Sequence, residues 1–531
     1  MENTCIAMVS VDGVRARKCR GLLAAWCGVI LVAAALLGGC SVRQAGADSL
    51  IYAIAAQPST LIPLQAVDIV SRWAVELLYD GLVDINDRME VVPALAERWD
   101  VSADGLVYTF HLRSDVRWHD GTLLTAEDVA RTYRVLLDPT ASVAVPRADY
   151  QAIAAVEAPD SGTVVLRLSA PDASLLSKLV LGIARETGGS QPARGPAMGT
   201  GPFMLREWQA GDRLVFDRHD AYFAGRPGLR TLTWQVVPDT AAQVLLLEDG
   251  GVDGALLTAA TDAQRLMSRQ VFRVYAVPGG NLQISLQLAN PLFQDVRVRQ
   301  ALALALDRQS MVSGLVGGDG TLSAGDILPI SWAYNPAAAT VYPYDPAAAR
   351  ELLAQAGWQP GSDGILSKDG RRLSFVLLTD AGDRLRREVA LMVRQQWAQV
   401  GVETELLFLE RTTMVMERVL KGQFDAALLQ SSVRADPDLS RRFHSRSISQ
   451  GQNFLSYRNP ALDALLDAAL RQSGQAERAA LYREAQMVLA RDAPQINLFY
   501  PTAFLVMRSD VAGVNPSPMS PFWNVQDWRR P

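Results

Sequence analysis

The chain has 531 residues, is 49% hydrophobic and 20% charged, and carries a formal net charge of −5. That length exceeds what one hydrophobic core serves, so two or three lobes are expected. The charges are spread without long runs, which excludes the basic stripe of a nucleic-acid binder, and the composition excludes a disordered chain.

Arg15, Arg17, Lys18 and Arg20 form a basic stretch, and the run from Gly21 to Leu37 is uncharged and nearly all apolar. Leu37-Gly38-Gly39-Cys40 follows, then polar Ser41, Arg43 and Gln44. A basic region, a short apolar region and small residues before a cleavage point describe a signal peptide over residues 1–39. The same run looks like a lipobox, in which Cys40 becomes the acylated first residue. The alternative is a single transmembrane helix, since about 17 apolar residues is near the lower limit for spanning. All four cysteines, at 5, 19, 27 and 40, lie at or before the lipobox. After cleavage no internal disulfide, Cys-based metal site or Cys nucleophile remains.

Past a short polar tether, Leu50 to Ala56 reads as a strand and Ile69 to Leu78 as a helix ending near Asp80-Gly81. Two strands, Glu97 to Val101 and Leu106 to Leu112, flank Ser102-Ala103-Asp104-Gly105, a hairpin signal. Thr125 caps a helix running to about Leu137, with Asp128 placed to answer it three residues on. The Gly, Pro and Ser-rich stretch from Gly188 to Gly201 reads as an inter-lobe connection. Strands resume at Phe203 to Trp208 and Arg213 to Asp217. Val236 to Val252 reads as a short strand and a helix with Leu245, Leu246 and Leu247 inward.

In the second half Asp295 caps a helix whose inner face carries Val298, Leu302 and Leu306. Asp307-Arg308 is expected to end that helix, as an ion pair or cap. Asp345 and Pro346 open another helix and Gly357 closes it. Turns at Asp363-Gly364 and Asp369-Gly370 precede a strand, Leu373 to Leu378. A helix from about Asp383 stops at Gly401 and a strand returns over Val402 to Leu409. Asn459-Pro460 and Glu477 begin the last two helices. Strand–helix alternation in two blocks implies an α/β protein of two main lobes, with a cleft between them as the ligand position.

Several blocks resemble one family. They are Pro93-Ala94-Leu95-Ala96-Glu97-Arg98-Trp99; Asp104-Gly105-Leu106-Val107-Tyr108-Thr109-Phe110; Trp118-His119-Asp120-Gly121-Thr122; Gly199-Thr200-Gly201-Pro202-Phe203; Asp295 to Leu302; and Tyr344-Asp345-Pro346. Together and in this order they are similar to the extracytoplasmic solute-binding proteins of ABC importers for dipeptides, oligopeptides and nickel (family 5). The resemblance implies a periplasmic-binding-protein-like clamshell of two α/β lobes with an inserted third lobe. Lobe I would comprise residues 41–90, 196–280 and 498–531, lobe II residues 91–195, and lobe III residues 281–497. The connections near 280 and 497 would be hinges. A lipid-anchored binding component is implied, capturing a peptide or peptide-like solute by lobe closure and delivering it to ABC permease and ATPase subunits. No cofactor is implied, and a monomer is expected because one closing clamshell needs no partner.

Peptide-binding members place an aspartate for the ligand's ammonium in a Trp-x-Ala-Asp-Tyr-x-[Asp/Glu]-Pro pattern. The matching stretch here is Gln430-Ser431-Ser432-Val433-Arg434-Ala435-Asp436-Pro437. Val433 stands at the aspartate position and Arg434 at the tyrosine position. A non-peptide ligand, whether anionic, sugar-like or a nickel chelate, is therefore an alternative, because Arg grips oxyanions bidentately. Otherwise Arg434 pairs with Asp436 or Asp438. The lining candidates are Gln430, Ser431, Ser432, Arg434 and Asp436, joined by Trp332, Tyr334, Tyr500 and Arg147. Catalytic signatures for an acyl-transfer elbow, a zinc helix or a phosphate loop are absent, so an enzyme is the weakest rival. A ligand-sensing lipoprotein on the same fold is the other.

Overall fold

The computed structural model of the protein describes residues 48–185 and 197–530. The leader, Cys40 and the Gly188–Gly201 stretch up to residue 196 lie outside the described residues.

The chain opens with β1 (Ser49–Ile54) and α1 (Ile69–Leu78). Asp68 caps α1 by accepting the Ser71 N–H at 2.8 Å. The short pair β2 (Val83–Ile85) and β3 (Val91–Pro93) follows, then β4 (Ala96–Val101) and β5 (Val107–Leu112). Gly105, at φ 68°, makes the turn between β4 and β5 that a side chain would strain. On β5 alternate residues Tyr108, Phe110 and Leu112 are buried, as a half-covered strand requires. Helix α2 (Ala126–Leu137) carries the expected capping box between Thr125 and Asp128. It packs on β6 (Ile153–Asp160) and β7 (Thr163–Leu168), and α3 (Leu175–Lys178) closes the segment. These strands form a separate four-stranded antiparallel sheet, β4-β5-β7-β6, over a core of Phe110, Trp118, Tyr133, Val164 and Leu166.

Next come β8 (Phe203–Gln209), β9 (Arg213–Arg218), β10 (Thr231–Val236), α4 (Thr240–Asp249), β11 (Gly254–Leu257), α5 (Ala260–Met267) and β12 (Phe272–Pro278). In α4 Leu247 is buried but Leu245 is 58% exposed, contrary to the expected inward run. Consecutive helical residues turn by about 100° each, so three in a row cannot share one face.

The second half contains β13 (Leu282–Leu286), α6 (Val296–Leu304), α7 (Arg308–Leu315), β14 (Gly320–Leu322) and α8 (Pro346–Gln355). Three short strands follow, β15 (Gln359–Pro360), β16 (Leu366–Lys368) and β17 (Arg371–Arg372), and then β18 (Ser374–Asp380), α9 (Arg384–Ala398), β19 (Glu403–Leu409) and β20 (Ala426–Gln430). The chain ends through α10 (Ser440–Phe443), α11 (Pro460–Arg471), α12 (Gln475–Asp492) and β21 (Gln495–Arg508). Asp307 does not end a helix; it opens α7, accepting the Ser310 N–H at 2.9 Å. Arg308 makes no ion pair with it and donates to the carbonyls of Asn497, Ala339 and Tyr342.

The main sheet runs β19-β18-β20-β13-β21-β11-β1-β10-β9-β8, with β12 and β14 also pairing along β21. All five residues of β13 are buried, the mark of a strand covered on both faces. One end of the sheet packs Tyr52, Phe216, Trp234, Phe522 and Trp528; the other packs Ile284, Leu302, Phe375 and Trp397. The Trp397 indole donates to the Leu302 carbonyl at 2.9 Å from a fully buried position. Strand β21 belongs to both ends: Gln495 to Phe499 pair with β13, while Thr502 to Arg508 pair with β12. The second crossing is the Gly279-Gly280 link between β12 and β13. The fold is thus a clamshell of α/β lobes, built as two sheet ends joined by two strand connections, beside a smaller sheet.

Candidate functional site

The loop from Ser431 to Leu439 leaves β20 where the second end of the sheet faces both the first end and the small sheet. Its opening residues are locked. The Gln430 carboxamide accepts from Arg386 at 3.2 Å and donates to the Gly280 carbonyl at 3.3 Å. Arg386 is itself buried against Asp380 at 3.0 Å. Ser431 and Asn281 exchange two bonds, of 2.9 and 3.0 Å. Gly280 permits this approach, because a Cβ there would lie 1.8 Å from the Ser431 carbonyl oxygen.

Ser432 and Arg434 are exposed, whereas Val433 and Ala435 alternate inward. That pair packs against Ile85, Met89 and Met519, which come from the other side of the seam. The expected alternative pairing of Arg434 with Asp436 is not made. Asp436 instead meets Arg478 at 2.8 Å, with both side chains nearly buried. Burial pushes the Asp436 carboxyl up to about 6, against the pull of Arg478. Arg478 lies 5.3 Å over the Trp332 ring and 5.5 Å over Tyr482, so Trp332 and Asp436 are joined through one guanidinium. The same arginine reaches the Ala173 carbonyl beside α3 at 3.4 Å, tying the loop to the small sheet. Arg441 adds a second tie, a two-pronged pair with Asp149 at 2.8 and 3.2 Å.

The remaining candidates lie apart from this loop. Tyr500 is buried in β21, its one hydroxyl proton shared between the carbonyls of Gly325 and Ile327 at 2.7 and 2.8 Å. Tyr334 is half-buried among Ala324, Ala338, Ala339 and Ala490. Arg147 donates to the carbonyls of Leu136, Asp138 and Ala141, closing the C-terminal end of α2.

Across the seam, α1 contributes residues that the sequence reading passed over. Val70, Ser71, Ala74, Val75, Leu77 and Leu78 are buried, which leaves Arg72 and Glu76 together on the outward face. Their i, i+4 spacing on an otherwise apolar helix was the available signal. Glu76 is half-buried, and desolvation lifts its carboxyl to about 8, with the Ser520 hydroxyl opposing and Asp84 adding to the rise. Burial also lifts Asp84 to about 6, against the Ile85 N–H at 2.7 Å and the Trp523 indole. Arg72 is depressed, first by desolvation; Asp68 opposes this, and the positive charge of Arg434 adds to it. Arg434 acts the same way on Arg441. The seam therefore has a cationic end and an acidic end, one helical turn apart along α1.

Residues 90–451 match the bacterial extracellular solute-binding proteins, family 5 Middle. The chain is 30% identical over 503 residues to the oligopeptide-binding protein AppA of Bacillus subtilis, covering 91% of this chain and 92% of that one. The structure of AppA in complex with a nonapeptide superposes with a TM-score of 0.79 at 29% identity, over 91% of this chain and 99% of AppA. NikZ from Campylobacter jejuni, in complex with Ni(L-His), gives 0.78 at 26% identity, over 91% of this chain and all of NikZ. The chain belongs to family 5 of the bacterial extracellular solute-binding proteins, the binding components of ABC importers.

Proposed function

We propose that the protein captures a small solute, a peptide or peptide-like molecule first among candidates, in the seam between the two ends of the main sheet. The observation that carries this reading is the seam itself. Charged side chains of opposing elements converge there, and among the described residues two strand connections, at Gly279-Gly280 and in β21, join the halves. On this reading residues 41–90, 196–280 and 498–531 form lobe I, 91–195 lobe II and 281–497 lobe III. The three largest buried apolar clusters, which fall mainly one to each lobe, support that division. Solute held by both lobes favours the closed form by its differential affinity, and the closed form is what a permease and its ATPase engage. Ser432, Arg434 and the Trp332–Arg478–Asp436 group are the candidates nearest the seam. The protein binds its solute without chemical change and acts as a monomer outside the cytoplasm, tethered by acyl chains on Cys40. Among the described residues no helix is long and apolar enough to cross a membrane.

Native mass spectrometry of the purified protein identifies a co-purifying solute, and thermal-shift screening of peptide, sugar and nickel-chelate pools confirms it. A solute at about 100 times its Kd stabilises by about 2.7 kcal/mol. Failure of every pool to raise the melting temperature would refute capture. The Cys40→Ser variant is expected to lose metabolic palmitate labelling and move from the membrane to the soluble fraction. Retention of both label and membrane association would refute the anchor.

A further inference from the structure

The small sheet is welded to one half of the clamshell and meets the other through polar ties. Backbone bonds of 2.9 Å run from it into residues 41–90: the Ala96 N–H donates to the Leu82 carbonyl, Ile183 to Asp80 and Ala144 to Leu64. Leu64, Leu82 and Val83 also lie in its core, which among the described residues takes none from 281–497. Against that last segment its tip makes two ties of another kind.

The first is the pair of Asp149 with Arg441, two-pronged at 2.8 and 3.2 Å. Both members are held in place beforehand. Asp149 sits in a turn that Arg147 fixes to the carbonyls of Leu136 and Asp138, and the Tyr150 hydroxyl pins the same turn to the Lys178 carbonyl at 2.9 Å. The Arg441 Nε donates to Gln452 at 2.6 Å, which aims Nη1 at the aspartate. The second tie joins backbones: the Ala173 N–H donates to the Leu470 carbonyl at 3.0 Å. Leu470 lies in the last turn of α11, where helix carbonyls lack a donor of their own. Arg478 takes the neighbouring Ala469 carbonyl at 3.2 Å and reaches the carbonyl of Ala173 itself. Ala173 is steadied by Asp172, whose carboxylate pairs with Lys178 at 2.8 Å and whose carbonyl accepts the Tyr108 hydroxyl at 3.2 Å.

We propose that the small sheet is a latch, an arm fixed to lobe I whose tip grips lobe III through Asp149–Arg441 and Ala173–Leu470 and keeps part of the protein closed before solute arrives. This rests on the lobe division and capture reading given above. Preformed partners lose little side-chain freedom on meeting, so the ties favour closure at small entropic cost. Contacts made only in the closed form raise its population, and apparent solute affinity scales with that population. The latch therefore tightens capture of every solute by one common factor and leaves the choice among solutes to the seam.

The Ala173 amide reports the latch directly. In the solute-free protein its hydrogen exchange should be slower than in an unstructured peptide. Asp149→Asn and Arg441→Gln should each speed it by about tenfold, with exchange at Phe110 and Leu166 inside the small sheet unchanged. Asp149→Arg combined with Arg441→Asp should recover protection. Small-angle scattering should give both single variants a larger radius of gyration than the unmodified protein. Free-peptide exchange at Ala173 in the unmodified protein, or unchanged exchange and radius in both single variants, would overturn the latch. A casein digest supplies the second arm, with each captured peptide read by mass spectrometry. All captured peptides should weaken by the same factor in the single variants. Weakening confined to some of them would put the pair in the solute site and overturn the latch. A digest from which the unmodified protein captures nothing would overturn peptide capture, while exchange at Ala173 still decides the latch.

Discussion

Glu76→Gln tests the electrostatics of the seam most directly. The Glu76 carboxyl rises from its ordinary 4.5 to about 8 because burial disfavours the charged form. Between those values the folded protein binds a proton that the unfolded chain does not. Stability due to this group is therefore intact below about pH 4.5 and is lost as pH rises toward about 8. At pH 7 the interval already crossed is about 2.5 pH units, which at 1.36 kcal/mol each corresponds to about 3 kcal/mol. Gln keeps the shape and the hydrogen bond to Ser520 but carries no charge, so the variant should be more stable at pH 7 to 8 by a few kcal/mol and little changed near pH 4.5. An unfolding entropy of about 2.1 cal/mol/K per residue over this length gives a melting-point rise of roughly 3 °C at pH 7. Differential scanning fluorimetry across pH 4.5 to 8.5 for both proteins supplies the comparison. Parallel curves, with no pH-dependent gap, would refute the placement of a buried neutral carboxyl at Glu76.

Arg478→Ala leaves the buried Asp436 without its partner and should cost about 3–5 kcal/mol in urea unfolding. Adding Asp436→Asn should restore part of that loss, and a double variant as unstable as the single would contradict the pairing. Gly280→Ala forces a Cβ to within 1.8 Å of the Ser431 carbonyl oxygen. The exchanged bonds with Asn281 should break, seen as faster amide hydrogen exchange at Asn281 and Ser431. Unchanged protection there would show that the crossing segment yields freely.

Local signals in the sequence carried much of the fold. Ile69 to Leu78 is α1 to the residue, and the Thr125 capping box stands as its spacing implied. Such features rest on nearest-neighbour chemistry, which a linear reading captures. Leu245 failed because three adjacent leucines say nothing of which one points inward. Asp307 failed as a terminator because the same capping chemistry begins the next helix. The site was less legible. Gln430, Ser431 and Asp436 were found from one loop, but the partners that hold them, Arg386, Asn281 and Arg478, lie between 42 and 150 residues away along the chain. Arg478 in particular looks like an ordinary charge in a polar helix. Only the packing of α12 against the loop brings it over Trp332 and onto Asp436.

Strand β21 carries a consequence for how the chain is made. It lies between β11 and β13, and both halves of the main sheet border on it, yet it follows every other described strand along the chain. Until Gln495 to Arg508 are synthesised, β11 and β13 each keep an unfilled edge. Pairing across more than 200 residues of chain, as between Gly254 and Met507, also folds slowly. The two halves of the main sheet therefore become one structure only after Gln495 to Arg508 have been made, late in the order of the described strands.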